Sequence, residues 1–334
     1  MPFDHLKRRE FITLLGVGTA AWPVEARAQQ RGQMRRVAAL LGGLEFDDAS
    51  GQAEVTAFEG ALKNLGWTRG RNIDLDYHWP GAQIARMRTV ADAIVAAQPD
   101  LVLSRSTPAT AALKDANLPI VFVLVTDPIG SGFVQNLGHP GGNLTGFSTF
   151  ESSVGGKWLA LLKEAAPEVS RVAILFNPET APFAEGYLRS AQAAAQTLGA
   201  TVISAPCSTD ADIQGVFSAR ARERGGGIIG IADTFVADHR DLIISLAAQH
   251  RLPAIYGTPI FARSGGLIVY SPDYADIYRR AAGYVDRILK GGRPGDLPVQ
   301  EPDKFTLSVN IKTAKVLGLT MPPALLSTAD EVIE

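Results

Sequence analysis

The sequence is poor in the residues that metal sites and disulfides need. Cys207 is the single cysteine among 334 residues, which excludes an internal disulfide framework and a multi-cysteine metal site. The five histidines are scattered without metal-ligand spacing. The mature chain also lacks a phosphate-binding loop followed by Lys-Ser/Thr, a dinucleotide fingerprint and a Gly-x-Ser-x-Gly elbow. We therefore predict no metal, no cofactor and no enzymatic activity.

An excess of charge of one sign is missing as well. The formal net charge is -2, and no basic stripe interleaved with aromatic residues occurs. Nucleic acid is therefore not an expected partner. Beyond the N-terminal region no apolar run is long enough to span a bilayer, so we predict that the mature chain is not inserted in a membrane.

Residues 1–28 have the pattern of an export signal peptide. Lys7-Arg8-Arg9 precedes a modestly apolar run to Val24, and Ala26-Arg27-Ala28 is a small-x-small cleavage pattern. The order Arg-Arg-Glu-Phe-Ile resembles a twin-arginine signal, although Lys7 stands where that pattern prefers Ser or Thr, so the general secretory route stays open. We expect cleavage near Ala28-Gln29 and a periplasmic protein, which we further expect to be a monomer.

The rest of the chain alternates between strand and helix patterns in two successive runs. Such alternation predicts an α/β protein with two lobes, each built on a parallel sheet. The tail has too few elements for a core of its own, so it should return to both lobes. We predict a first lobe of residues 34–148 plus 258–298, and a second of 149–257 plus 299–334. Several chain crossings between two lobes make a hinge and a cleft.

The stretch from Pro99 to Pro128 reads as strand, loop, helix and strand. Thr107 followed by Pro108 has the pattern of a helix start, with a hydroxyl N-cap and a proline in the first turn. The run Ile120–Val125 is typical of a strand buried on both faces, and it ends at Thr126-Asp127. Polar strand ends and a helix N-terminus should therefore share one sheet edge, where ligands bind in open α/β sheets.

Polar and aromatic residues at the predicted strand ends form the candidate site. A helix N-terminus capped by Thr107 suits a carboxylate, an aspartate on the facing lobe suits an ammonium, and aromatic walls suit a planar side chain. Together they would hold an amino acid. The predicted ligand-binding residues are Ser106, Thr107, Thr126, Asp127, Phe147, Asn177, Asp233 and Tyr256. Each has an ordinary alternative: Thr107 as a plain N-cap, Asp127 as a turn former, and the aromatic residues as core.

Several long runs resemble the ABC-transporter solute-binding proteins of the family that includes tryptophan- and tyrosine-binding members. These runs are Pro119–Val123, Asp127–Gly132, Pro140–Gly146, His250–Tyr256, Arg279–Gly291 and Asn310–Leu319. The resemblance implies a type I periplasmic-binding-protein fold, with two Rossmann-like lobes, three crossovers and a small-molecule solute closed in the cleft. It also implies a membrane permease and its ATPase as partners. One departure is Asp233-Thr234, where similar proteins often carry Asp-Pro.

Two other functions compete with solute capture for transport. An exported α/β enzyme could use Asp127 or Asp233 as a general base. A sensory binding protein could present its closed form to a membrane receptor. Solute capture is favoured over catalysis because the sequence offers a cleft without catalytic motifs. The sequence does not separate transport from sensing, because both use the same closed form, and transport is the leading hypothesis.

Overall fold

The computed structural model describes residues 34–334, so the predicted export signal lies outside the described residues. The first half of the chain forms a five-stranded parallel sheet in the order β2-β1-β3-β4-β5. Its strands are β1 (Arg35–Leu41), β2 (Ile73–His78), β3 (Leu101–Arg105), β4 (Ile120–Val125) and β5 (Leu144–Ser148). The helices between them are α1 (Ala49–Asn64), α2 (Ile84–Ala97) and α3 (Thr107–Leu113).

The second half forms a seven-stranded sheet in the order β12-β11-β10-β9-β8-β6-β7. In chain order its elements are α4 (Val154–Ala165), β6 (Arg171–Phe176), α5 (Ala184–Leu198), β7 (Thr201–Pro206), α6 (Asp210–Ala221), β8 (Gly226–Gly230), α7 (Thr234–Asp238), α8 (Arg240–His250), β9 (Ala254–Tyr256), α9 (Ile260–Arg263) and β10 (Ile268–Pro272). The tail adds α10 (Tyr274–Leu289), a short 3-10 turn (Pro294–Asp296), β11 (Phe305–Asn310), α11 (Ile311–Leu317), α12 (Pro323–Thr328) and β12 (Glu331–Ile333).

Apolar periodicity explains where each element packs. The run Ile120–Val125 is buried at every position, as expected of a central strand covered on both faces. In β2 the residues alternate, and this strand lies at the edge of the first sheet. These features and the two sheets confirm the predicted α/β class. One pair departs from the expected parallel order, since β10 and β11 run antiparallel.

The tail is shared between the two lobes. Helix α10 joins the core of the first lobe through an apolar face that includes Ile277, Ala281 and Val285. Strand β10 instead pairs with β9 and β11 in the second sheet. The predicted return to the first lobe at residue 258 is therefore too early. The short helix α9 carries the chain directly to a neighbouring strand of the same sheet, and the crossing comes only after Pro272.

Three crossings join the lobes: after β5, between β10 and α10, and between α10 and β11. The crossing segments are hydrogen-bonded side by side. Ser148 N donates to Gln300 O at 2.9 Å, and Asp273 N donates to Lys304 O at 3.0 Å. Short adjacent crossings of this kind form a hinge about which two lobes can rotate. In the described part of the chain, no helix combines the length and apolar character that crossing a membrane requires.

Candidate functional site

A cavity of about 40 Å³ lies between the two lobes, at the carboxyl ends of their parallel strands. Hydroxyl side chains dominate its lining. They are Ser106, Thr107, Thr126, Thr149, Thr180, Thr234 and Thr258. The lining also holds two charged residues, Arg105 and Asp233, and the aromatic rings of Phe183 and Tyr274. The location follows from topology, because loops after parallel strands converge at one sheet edge.

The structure brings four of the predicted ligand-binding residues to this cavity: Ser106, Thr107, Thr126 and Asp233. The cap of α3 lies one residue earlier than predicted. Ser106 is the N-cap residue, and Thr107 is the first residue of the helix. The Thr107 hydroxyl accepts a hydrogen bond from Thr126 N at 3.2 Å, so it ties the ends of β3 and β4 together. The Thr126 hydroxyl lies 2.8 Å from that of Thr149.

The other four predicted residues lie outside the lining of this cavity. Asp127 is a turn former, since its carboxylate accepts from Gly130 N at 2.8 Å. Asn177 lies behind the site, and its backbone N–H donates to the Asp233 carboxylate at 2.8 Å. Phe147 packs on Tyr284 in the first lobe, with ring centroids 4.9 Å apart. Tyr256 stacks on Phe261 inside the second lobe at 4.0 Å. These two rings point into the cores, because successive strand residues alternate between faces.

A buried ion pair at the end of β3, which the sequence pattern does not predict, joins Arg105 to Glu54. Arg105 donates from Nε to Glu54 Oε2 at 3.0 Å and from Nη1 to Gly42 O at 2.9 Å. The two side chains are only 9% and 5% exposed. Burial raises the pKa of Glu54, while the neighbouring guanidinium opposes that rise. One sign of it is visible in the sequence, because Arg105 is a charged residue directly before the polar strand end at Ser106.

Asp233 faces this ion pair from the second lobe, at the start of α7. One carboxylate oxygen accepts from the Thr180 hydroxyl and from Phe235 N at 3.1 Å, and the other accepts from Asn177 N. Burial raises the pKa of Asp233 to about 6, and these hydrogen bonds oppose the rise. The carboxylate is therefore held in place by its own lobe at the cavity wall.

The raised pKa of Asp233 predicts a pH dependence of stability. Because the folded state holds this proton more tightly, folding takes up a proton between about pH 4 and pH 6. The stabilisation is present below pH 4 and is lost as the pH rises past 6, an effect of about 3 kcal/mol in full. We expect urea unfolding from pH 4 to 7 to show this fall in the wild type relative to Asp233→Asn. Parallel pH profiles for the two proteins would contradict the assignment.

Two hydroxyls in the cavity lining lack a hydrogen-bond partner among the described residues. They are Ser106 Oγ in the first lobe and Thr234 Oγ1 in the second. A buried polar group without a partner costs about 1–3 kcal/mol. Hydroxyls of both lobes therefore offer hydrogen bonds to a polar molecule held between them. Residues 34–334 contain no cluster of His, Cys, Asp and Glu suited to a metal ion.

The chain is similar to several known proteins. The chain is 26% identical to a tyrosine-binding protein of Clostridioides difficile (strain R20291), over 78% of this chain and 74% of that protein. It is similar to a solved conserved domain protein from Vibrio cholerae, with 29% identity, a TM-score of 0.82, and coverage of 90% of this chain and 100% of the other.

A solved ABC domain in complex with L-Trp from Streptococcus pneumoniae shares the fold, with 23% identity, a TM-score of 0.80, and coverage of 90% and 100%. The fold is that of the type I periplasmic binding proteins. Residues 46–333 match the family described as ABC transporter substrate binding protein. The chain belongs to this family of ABC transporter substrate-binding proteins.

Proposed function

We propose that the protein captures an α-amino acid between its lobes and delivers it to the permease of an ABC importer. The observation that carries this proposal is the cavity between the lobes, where Arg105 and Asp233 place opposite charges on facing walls. Of the ligand-binding residues predicted from the sequence, we retain Ser106, Thr107, Thr126 and Asp233. Asn177 positions Asp233 through its backbone N–H. The tyrosine and tryptophan named for two relatives support an amino acid as the solute.

Capture requires the lobes to separate. A cavity of about 40 Å³ has room for about three water molecules, which is far less than an amino acid needs. The lobes are also close at its rim, where a Cβ added to Gly43 would lie 2.7 Å from Thr234 Cγ2. A solute that contacts both walls stabilises the closed arrangement through its differential affinity for the closed and open states.

A thermal-shift screen of the mature protein tests this function. We expect one of the twenty L-amino acids, with L-tyrosine and L-tryptophan tried first, to stabilise the fold by about 2.7 kcal/mol at a hundred times its dissociation constant. Sugars and nucleosides serve as controls. The bound amino acid should be recovered chemically intact. A shift with sugars alone would exclude amino-acid capture, and turnover would favour the exported enzyme.

Export to the periplasm is the second part of the proposal. Delivery to a permease requires the protein outside the cytoplasm, and residues 1–28 supply the signal pattern. We expect the periplasmic protein to begin at Gln29 by N-terminal sequencing and to be a monomer. If the twin-arginine route is used, Arg8→Lys with Arg9→Lys should abolish export. Unchanged export of this variant would favour the general secretory route.

A further inference from the structure

We infer that Arg105 binds the carboxylate of the solute, and that the solute is an α-amino acid held with its carboxylate on the first lobe and its ammonium on the second. This inference rests on the proposed function and deepens it. It also changes the sequence-based hypothesis, which assigned the carboxylate to the N-terminus of α3. That helix has only seven residues, and Ser106 makes no side-chain capping bond.

The guanidinium of Arg105 is held in place by two hydrogen bonds that use only some of its N–H groups. Nε donates to the Glu54 carboxylate, and Nη1 donates to the carbonyl of Gly42. Within the described residues, these bonds leave both N–H groups of Nη2 and one of Nη1 available. That edge of a guanidinium can bind a carboxylate through two parallel hydrogen bonds. Because the side chain is anchored at two points, little further conformational entropy is lost when a solute binds.

The groups around Arg105 match an amino acid rather than a simple anion. Ser106, the next residue, brings a buried hydroxyl without a partner to the same wall of the cavity. On the facing wall Asp233 supplies a carboxylate, and Thr234 supplies a further hydroxyl without a partner. A carboxylate on Arg105 and an ammonium near Asp233 would pair each solute charge with one of opposite sign across the cleft.

A purely structural ion pair would explain Arg105 and Glu54 without any ligand. A purely structural pair would not need to line the cavity. It would also not need free N–H groups close to unpartnered hydroxyls on both walls. The two explanations differ in one measurable property, which is whether binding depends on the charge of the solute carboxylate.

The test compares each of the twenty L-amino acids with its α-carboxamide by isothermal titration. For the amino acid that binds, we expect the wild type to prefer the acid over the amide by about 100-fold or more. The double variant Glu54→Gln/Arg105→Gln removes both charges together, so no buried charge is left unpaired. It should lose most of that preference. Arg69→Gln, an exposed arginine paired with Glu59, is the matched control and should keep the preference.

The outcomes separate the two proposals. If the double variant keeps the acid preference, Arg105 does not bind the carboxylate, although amino-acid capture still stands. If the wild type binds acid and amide equally, the inference fails in the same way. If no amino acid binds, the proposed function fails and the inference fails with it. Should the double variant not fold, Glu54→Leu/Arg105→Met replaces it with the same expected loss of preference.

Discussion

Replacement of Glu54 by leucine is expected to reduce the free energy of unfolding by about 3–5 kcal/mol. The carboxylate is buried against Arg105, so its removal leaves a guanidinium with its charge uncompensated inside the protein. Most domains have only about 5–15 kcal/mol of stability in total, so this loss should be obvious in urea unfolding at pH 7. Glu54 also sets the position of Nε, and the variant should therefore bind its amino acid more weakly.

The matched control is Glu185→Leu in helix α5. Glu185 pairs with Arg189 at 3.6 Å, and both side chains are more than 60% exposed. An exposed ion pair contributes about 0–1 kcal/mol, so this variant should unfold close to the wild type. Equal losses for Glu54→Leu and Glu185→Leu would show that burial of the pair is not what matters.

The double variant Glu54→Leu/Arg105→Met separates stability from recognition. Replacing both members of a buried pair by apolar residues of similar size is often neutral or stabilising, because the desolvation cost of the charges disappears. We expect unfolding of the double variant to return to within about 1 kcal/mol of the wild type. Recovery of stability without recovery of acid preference would assign Arg105 to binding rather than to folding.

Local sequence pattern was sufficient for the class of fold. Apolar runs such as Ile120–Val125 and the alternation in Ile73–Tyr77 report burial directly, and the structure places the first centrally and the second at a sheet edge. The sheet to which β10 belongs could not be predicted in the same way. The sequence of a short strand does not specify its neighbours, and the pairing of β10 with β9 and β11 depends on tertiary packing.

The sequence predicted only those residues of the candidate site that lie at the ends of apolar strands. Ser106, Thr107, Thr126 and Asp233 follow apolar runs, and topology alone gathers them. Tyr256 also lies at a strand end, but the side of the sheet on which its ring lies depends on register. The partnership of Arg105 with Glu54 spans 51 residues, and that of Thr180 with Asp233 spans 53. No local pattern encodes such pairs.

The close contact between helices α4 and α5 leads to the second large effect. A Cβ added to Gly155 would lie 2.3 Å from the carbonyl oxygen of Tyr187, and a backbone atom cannot rotate away as a side chain can. We therefore expect Gly155→Ala to destabilise the protein by about 2–3 kcal/mol or more, although alanine favours a helix by about 1 kcal/mol over glycine. Urea unfolding of the variant provides the measurement.

Gly60 offers a control in the same structural class. It also lies inside a helix, and a Cβ there would meet nothing within 4 Å. Gly60→Ala should therefore stabilise the protein by up to about 1 kcal/mol, so the two identical substitutions should differ in sign. The same sign for both would mean that α4 and α5 can separate at little cost.

If α4 and α5 cannot separate, Gly155→Ala should also disturb the second lobe near Phe183, which packs on Tyr187 and lines the cavity. Weaker amino-acid binding by the folded variant would then follow from helix packing rather than from any lost contact with the solute.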